Sequence, residues 1–340
     1  MADTAPKAGD GAPLIAPAGR RAPQWLGALG ALAILLILGF IAEPRSLGVT
    51  ALLSMLPFMA ILAVASTGQY LVIRQRGLDL SAAGIISFAA VLMTNLPGGS
   101  NALAVVIGAV LLTLLMGLVV GAISGAIITF AGVPSLVTTI GVNAFMQGLV
   151  LWISKGTPAM APPMLSQFAL GKTFGVIPNM IVVMVIFIAV VAFILDRTVI
   201  GRRFLAVGVS PVAARSLGVP VEAYRVGTYM FAGFCYALAG VMLAGFLNFP
   251  GLFVGNDYLL ATVAAVVVGG NSITGDRGSI LAAVIGACFM TYLGQLVLSL
   301  GFERSTQNIV QAIVVVGAVG LPALIRSFGN SRGARAASHA

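Results

Sequence analysis

Few side chains in this sequence can do chemistry, and their placement excludes more than it permits. The single histidine, His339, is the penultimate residue, and the two cysteines, Cys235 and Cys288, both fall inside apolar runs. Only nine Asp and Glu are spread over 340 residues. Acid–base and metal chemistry need such groups gathered together, and a disulfide framework needs patterned cysteines. No catalytic residue, metal or cofactor is therefore expected.

Amides, hydroxyls and arginines do cluster. Thr139, Asn143 and Gln147 recur every four residues, which puts their polar groups on one helical face. A hydroxylated solute could hydrogen-bond to such a stripe, with Phe145, Phe246 or Phe249 offering flat apolar contact; hydrogen bonds to neighbouring helices are the alternative use. Thr138 and Trp152 share this run, Asn248 follows Phe246, and Gln295, Asn308 and Gln311 are further amides. Asp79, with Ser81, and Asp257 are carboxylates at span boundaries, where a charge is costly unless paired or hydrogen-bonded. Arg74 or Arg76 is the expected partner of Asp79, which could also cap the helix after it.

The densest polar stretch is DRTVIGRRFLAVGVSPVAARSLGVPVEAYR, residues 196–225. It carries Arg197, Arg202, Arg203, Arg215 and Arg225 against Asp196 and Glu222, in a chain with only 8% charged residues. Ser210 is placed to cap a short helix, Pro211 to occupy its first position and Gly218 to stop it. About seven helical residues, roughly 10 Å, are marginal alone and need something to dock against. Ala213, Ala214 and Leu217 would fit a groove on another protein, rimmed by Arg202, Arg203 and Arg215.

The elements that hold these groups are apolar. A hydrophobic fraction of 59% and a mean hydropathy of +1.09 require a lipid-embedded, all-α polytopic protein. Ten spans are predicted, at about 25–42, 50–73, 80–97, 102–131, 134–154, 177–195, 226–248, 257–270, 279–300 and 306–325. The first is read as a retained anchor, not a cleaved signal. The fourth must tilt, and the eighth is too short to cross unaided and is read as a half-membrane helix. Residues 1–23 form a disordered cytoplasmic lead, 24–326 one membrane domain containing the 196–225 segment, and 327–340 a cytoplasmic tail.

With both termini inside, fourteen of the eighteen Lys and Arg fall in inner segments, and only Arg45, Lys155, Lys172 and Arg304 fall outside. The net charge of +9 thus reflects bilayer orientation, and no nucleic-acid partner is expected. In the outer loop 156–175, SQFALGKT is no phosphate loop, because Ser166 stands where its first glycine must be. Gly117, Gly121 and Gly125 form a stripe that admits a close helix, within the chain or from another subunit.

Three stretches carry a resemblance. GRRFLAVGVSPVAARSLGVP is similar to the cytoplasmic coupling segment of permease subunits of ATP-binding-cassette importers, in the ribose and monosaccharide branch. The match falls on Gly201, Arg202, Ala206, Gly208, Ala213, Ala214 and Gly218, with Ser210 for the usual Asn and Val219 for the usual Ile. Gly77-Leu78-Asp79-Leu80-Ser81 resembles that family's G-I-D-L-S signature, although Arg74-Gln75-Arg76 stands where small or apolar residues are usual. Asp257 to Gly278 resembles a third signature, with Gly269 and Gly270 ending a helix and Asp276 where Gly is usual.

The resemblance runs from about Ser46 to Leu324 and implies a type II importer permease-like fold with a pseudo-symmetric inverted repeat. Asp79-Leu80-Ser81 and Asp257-Tyr258-Leu259, opening spans five apart, are its faint echo. It also implies a place in the bacterial inner membrane and a second permease copy, identical or closely related. Two cytoplasmic ATPase subunits would bind ATP and grip Ser210 to Gly218, and an extracytoplasmic binding protein would deliver the solute. A monosaccharide is the expected solute, with a nucleoside, a branched-chain amino acid or a sugar-derived signal as alternatives. An ion-coupled secondary transporter is disfavoured, because the acidic residues lie near span ends.

Overall fold

The structure, a computed structural model, describes residues 24–275, 277–318 and 320. The lead 1–23 with Lys7, Arg20 and Arg21, then Asp276, and finally 321–340 with Arg326, Arg332, Arg335, His339 and the tail, lie outside the described residues.

A 3-10 turn, Pro44–Leu47, joins α1 (Gln24–Ala42) to α2 (Val49–Arg74). Then come α3 (Ala82–Asn95), α4 (Leu103–Phe130) and α5 (Ser135–Ser154). Next are α6 (Pro163–Leu170) and a hairpin of β1 (Lys172–Thr173) with β2 (Ile177–Pro178). The chain continues through α7 (Asn179–Arg197), α8 (Val199–Val209), α9 (Pro211–Ser216) and α10 (Val221–Leu247). Helices α11 (Asn256–Val268), α12 (Ile280–Ser299) and α13 (304–318) complete it.

Each of the ten predicted spans holds one helix, but they are of two kinds. Helices α1, α2, α4, α5, α7, α10 and α12 are long and apolar enough to cross a membrane. Helix α11, with 13 residues, is the expected half-length helix. Helix α3 corrects the prediction of a full third span: its 14 residues rise about 21 Å, short of the roughly 30 Å hydrocarbon core. Residues 77–81 before it are not helical. Asp79 Oδ1 accepts the backbone N–H of Ser81 at 2.9 Å, a local turn that delays the helix; the expected capping of the first-turn N–H groups of α3 by Asp79 is not formed. The outer loop differs too, since SQFAL ends α6 and buries Ser166 and Ala169.

Non-helical chain at membrane depth needs protein partners for its backbone. The segment before α3 finds them on α5: Leu78 N–H donates to Ser135 Oγ at 3.4 Å, and Leu80 N–H to Thr139 Oγ1 at 3.0 Å. Before α11, Gly255 N–H donates to Ser87 Oγ at 2.9 Å.

Helices α2 and α10 form the centre. Helix α10 packs on α2, α3 and α4, and α2 packs on α10, α11 and α12. Exchanging α2, α3 and α4 for α10, α11 and α12 maps one set onto the other, as two repeats related by a pseudo-two-fold axis require. A cross-seam hydrogen bond, Tyr236 Oη to Gln69 Oε1 at 2.9 Å, is fully buried. Gly117, Gly121 and Gly125 press against the backbone of Gly233, Tyr229 and Val226 on α10, so this stripe packs internally. On the other face of α4, Leu111, Leu115, Val119 and Ile123 are exposed, as lipid contact requires.

Candidate functional site

Two regions hold the chemistry, at opposite ends of the helices. The first is α8 and α9. Thr198 closes α7 and caps α8, its hydroxyl accepting Gly201 N–H at 3.3 Å. Gly201, Phe204, Val207 and Gly208 recur at helical spacing and are buried, while Arg202 and Arg203 are exposed. Sequence reasoning missed this helix, although Thr198 and the apolar spacing mark it. Helix α9 is as expected: Ser210 Oγ accepts Ala213 N–H at 3.3 Å, Pro211 opens the helix, and Gly218, at φ +74°, ends it.

The face offered by α9 is not the expected one. Ala214 is only 1% exposed and packs with Val207 and Val221. It ties α9 to α8 and α10 and cannot enter a groove on another protein. The exposed side chains are Val212, Ala213 and Leu217, with Leu217 80% exposed. Arg215, also exposed, forms an ion pair with Glu222. Ala206 is half-buried.

The expected ion pair of Asp79 with Arg74 or Arg76 is not formed. Asp79 is 2% exposed and accepts from Ser81 N–H and, at 2.5 Å, from Ser81 Oγ. Arg74 Nη1 instead donates to the Gly275 carbonyl and Arg76 Nη2 to the Val209 carbonyl, both at 2.5 Å. Val209 ends α8, where carbonyls lack intrahelical partners and attract cationic donors.

The polar stripe of α5 faces protein. Thr139 is buried and holds Leu80 N–H, Asn143 lies against Gly84 of α3, and Gln147 Nε2 donates to Asn256 Oδ1 at 2.8 Å. Phe145 is 63% exposed on another face of α5, so the structure does not bring it to the stripe. Trp152 and Phe249 are also exposed. Asn248 closes α10 and ties it to the loop around α6, its carbonyl accepting Ala161 N–H at 2.8 Å and its Oδ1 accepting Ser166 Oγ at 3.0 Å. Asn308 is exposed on α13.

The second region is a cavity of about 380 Å³ at the far end, between α2, α10, α11, α12 and α13. Thr291, Gln295, Gln307 and Gln311 line it, with the ion pair of Arg304 and Asp257. Phe58 is also in the lining and meets Phe246 edge to face, ring centres 5.0 Å apart. Gln307 Oε1 is buried without a protein donor, a state that costs about 1–3 kcal/mol unless something else supplies the bond. Neutral amides and a hydroxyl beside an aromatic edge fit an uncharged hydroxylated molecule. Sequence reasoning named Gln295 and Gln311 but missed Gln307, four residues before Gln311 on the same face.

With this geometry in place, comparison with known proteins is specific. Residues 51–319 match the family described as the permease component of the branched-chain amino acid transport system. The autoinducer 2 import system permease protein of Shigella flexneri is 30% identical over 300 residues, covering 85% of this chain and 84% of its own. That of Photorhabdus luminescens is 32% identical over 247 residues, 72% of each chain. The ribose import permease protein of Escherichia coli K12 is 28% identical over 295 residues, covering 85% and 90%. The chain belongs to this permease family and is a multi-pass membrane protein.

Proposed function

We propose that this chain is the membrane-spanning subunit of an ATP-driven, binding-protein-dependent importer, and that its solute is a monosaccharide. One observation carries the proposal: α9 is capped at both ends and holds Val212 and Leu217 out to solvent at the arginine-rich end. An exposed apolar pair on so short a helix is costly unless another protein covers it.

In this account α8 and α9 face the cytoplasm of a bacterial cell, as do both termini, and the single membrane domain runs from 24 to 326. Fourteen of eighteen basic residues on that side support the orientation. A cytoplasmic ATPase binds and hydrolyses ATP and seats α9 through Val212 and Leu217. The binding protein delivers solute at the far end, and a second permease copy completes the pathway. Closing of the ATPases favours one arrangement of the helices and solute-loaded binding protein the other, so each cycle shifts the population between them. Thr291, Gln295, Gln307 and Gln311 in the far-end cavity support a hydroxylated solute, and two relatives are named for import of ribose and autoinducer 2. Another solute carried by the same importer class is the second reading, favoured by the family's own description.

The test is uptake by proteoliposomes holding the permease, its ATPase and its binding protein, offered aldopentoses, aldohexoses, a nucleoside and leucine in turn. ATP-dependent uptake of one sugar is the expected outcome. Uptake by the permease alone would overturn the proposal, and ATP-dependent uptake of leucine would overturn the solute.

A further inference from the structure

The three residues at the end of α2 that depart from the family pattern, Arg74, Gln75 and Arg76, meet two separate parts of the molecule and lead into a third. Gln75 Nε2 donates to the Phe204 carbonyl at 2.9 Å, and Arg76 Nη2 to the Val209 carbonyl at 2.5 Å, so two bonds run to α8. Gly208 lies directly against the Arg74 carbonyl, where a side chain would not fit. Arg74, 6% exposed, reaches the other way, to the Gly275 carbonyl in the connection between α11 and α12. The chain then reverses at Arg76, φ +62°, and leads within four residues to Leu78 and Leu80, whose N–H groups are held by Ser135 and Thr139 of α5.

An apolar hollow of about 450 Å³ lies beside α8, lined by Leu71 of α2, Phe204, and Tyr224 and Phe231 of α10, while Gly201 of α8 touches the Leu195 carbonyl of α7 directly. Toward α2, α8 is held by a neutral hydrogen bond from Gln75, a charge-assisted one from Arg76 and the close Gly208 contact, so a shift of α8 is passed to the end of α2. We infer that Arg74-Gln75-Arg76 is the linkage that carries movement of α8 and α9 to α5, and that its side chains set how closely ATP hydrolysis is tied to transport. The inference rests on the importer proposal and names the positioning residues of its drive.

The test uses the assembled complex with ATPase and binding protein in proteoliposomes. Arg76→Gly removes the guanidinium while relaxing a backbone that a side chain rarely adopts, so a purely local turn would work at least as well with Gly. Losing one such bond in a coupling network is expected to cut binding-protein-stimulated hydrolysis and uptake about tenfold, with unstimulated hydrolysis little changed. Arg76→Lys keeps a cationic donor and is expected to retain most of the coupling. Gln75→Ala, which leaves the turn intact, is expected to uncouple as Arg76→Gly does, and covers the case in which the glycine variant fails to assemble.

A second readout follows α5 itself. Leu136→Cys, exposed in the first turn of α5 at its α8-side end, reports on α5 through an impermeant maleimide. Its rate should change on adding a non-hydrolysable ATP analogue in the otherwise wild-type complex and stay unchanged with Gln75→Ala. Wild-type coupling and an unchanged nucleotide response in Gln75→Ala and Arg76→Gly would overturn the linkage while leaving the importer standing. Absence of ATP-driven uptake by the wild-type complex would overturn the importer proposal, and the linkage with it.

Discussion

The segments leading into α3 and α11 occupy equivalent places in the two repeats and are held in opposite ways. Asp79 is buried and satisfied by its own neighbour Ser81, and the helix after it is buried from Ala82 to Thr94. Asp257 is exposed, pairs with Arg304 on α13, and stands in the lining of the far-end cavity. The first segment is stitched to α5 through Leu80 and, through Gln75 and Arg76, to α8. The second meets α3 through Gly255 and Ser87 and α5 through the side chains of Asn256 and Gln147, with no such hydrogen bond to α8 among the described residues. One backbone device therefore serves two ends: the first repeat uses it as a mechanical tie, and the second as the wall of an opening.

The largest effect is expected where the two segments meet. A Cβ on Gly255 would collide with the Ala83 carbonyl and crowd Ser87, so Gly255→Ala should destabilise by about 1–3 kcal/mol. Thermal melting in detergent should show a Tm several degrees lower, while Gly251→Ala, in open space, should leave it unchanged. Equal melting would mean that the segments do not touch.

The next effect sharpens where the first segment's tie ends. Val212→Glu with Leu217→Glu should lower ATPase binding at least about tenfold in a pull-down, with Tm unchanged, because both side chains are exposed hot-spot candidates. Ala214→Glu should lower Tm itself, since it forces a charge into the α8–α9–α10 contact. Loss of binding with an unchanged Tm in Ala214→Glu would restore it to the docking face.

Smaller effects separate the two carboxylates. Asp79→Ala should cost about 1 kcal/mol for the lost hydrogen bonds to Ser81, and Asp79→Asn almost nothing, because an amide oxygen still accepts from Ser81. A large transport defect in Asp79→Asn would show that its charge, not its hydrogen bonding to Ser81, matters. Asp257→Asn should cost least, about 0–1 kcal/mol as an exposed pair. Exchanging Asp257 and Arg304 should restore the wild-type Tm if the pair matters at all.

Much of this was legible before folding was considered. Ten apolar runs gave ten helices, because in a bilayer backbone pairing leaves few alternatives. Ser210, Pro211 and Gly218 marked α9 because caps act locally. What failed was tertiary. Ala214 looks like a docking residue until Val207 and Val221 cover it, and Arg74 looks like a partner for Asp79 until the Gly275 carbonyl competes for it. Helix α8 was hidden inside a charged stretch whose apolar face shows only as Gly201, Phe204, Val207 and Gly208. Gln307 was passed over between Thr306 and Asn308 because an amide on a helix with several polar residues gains meaning only from Thr291 and Gln295 across the cavity.

The central claim is that the drive and the solute meet this chain on opposite faces of the membrane. Leu217→Cys on the drive side and Phe249→Cys beside the far end, both exposed, can be labelled with a membrane-impermeant maleimide in vesicles of known sidedness. The account predicts that Leu217→Cys reacts only in inside-out vesicles and Phe249→Cys only in right-side-out ones; labelling of both from one side, or the reverse assignment, would contradict it.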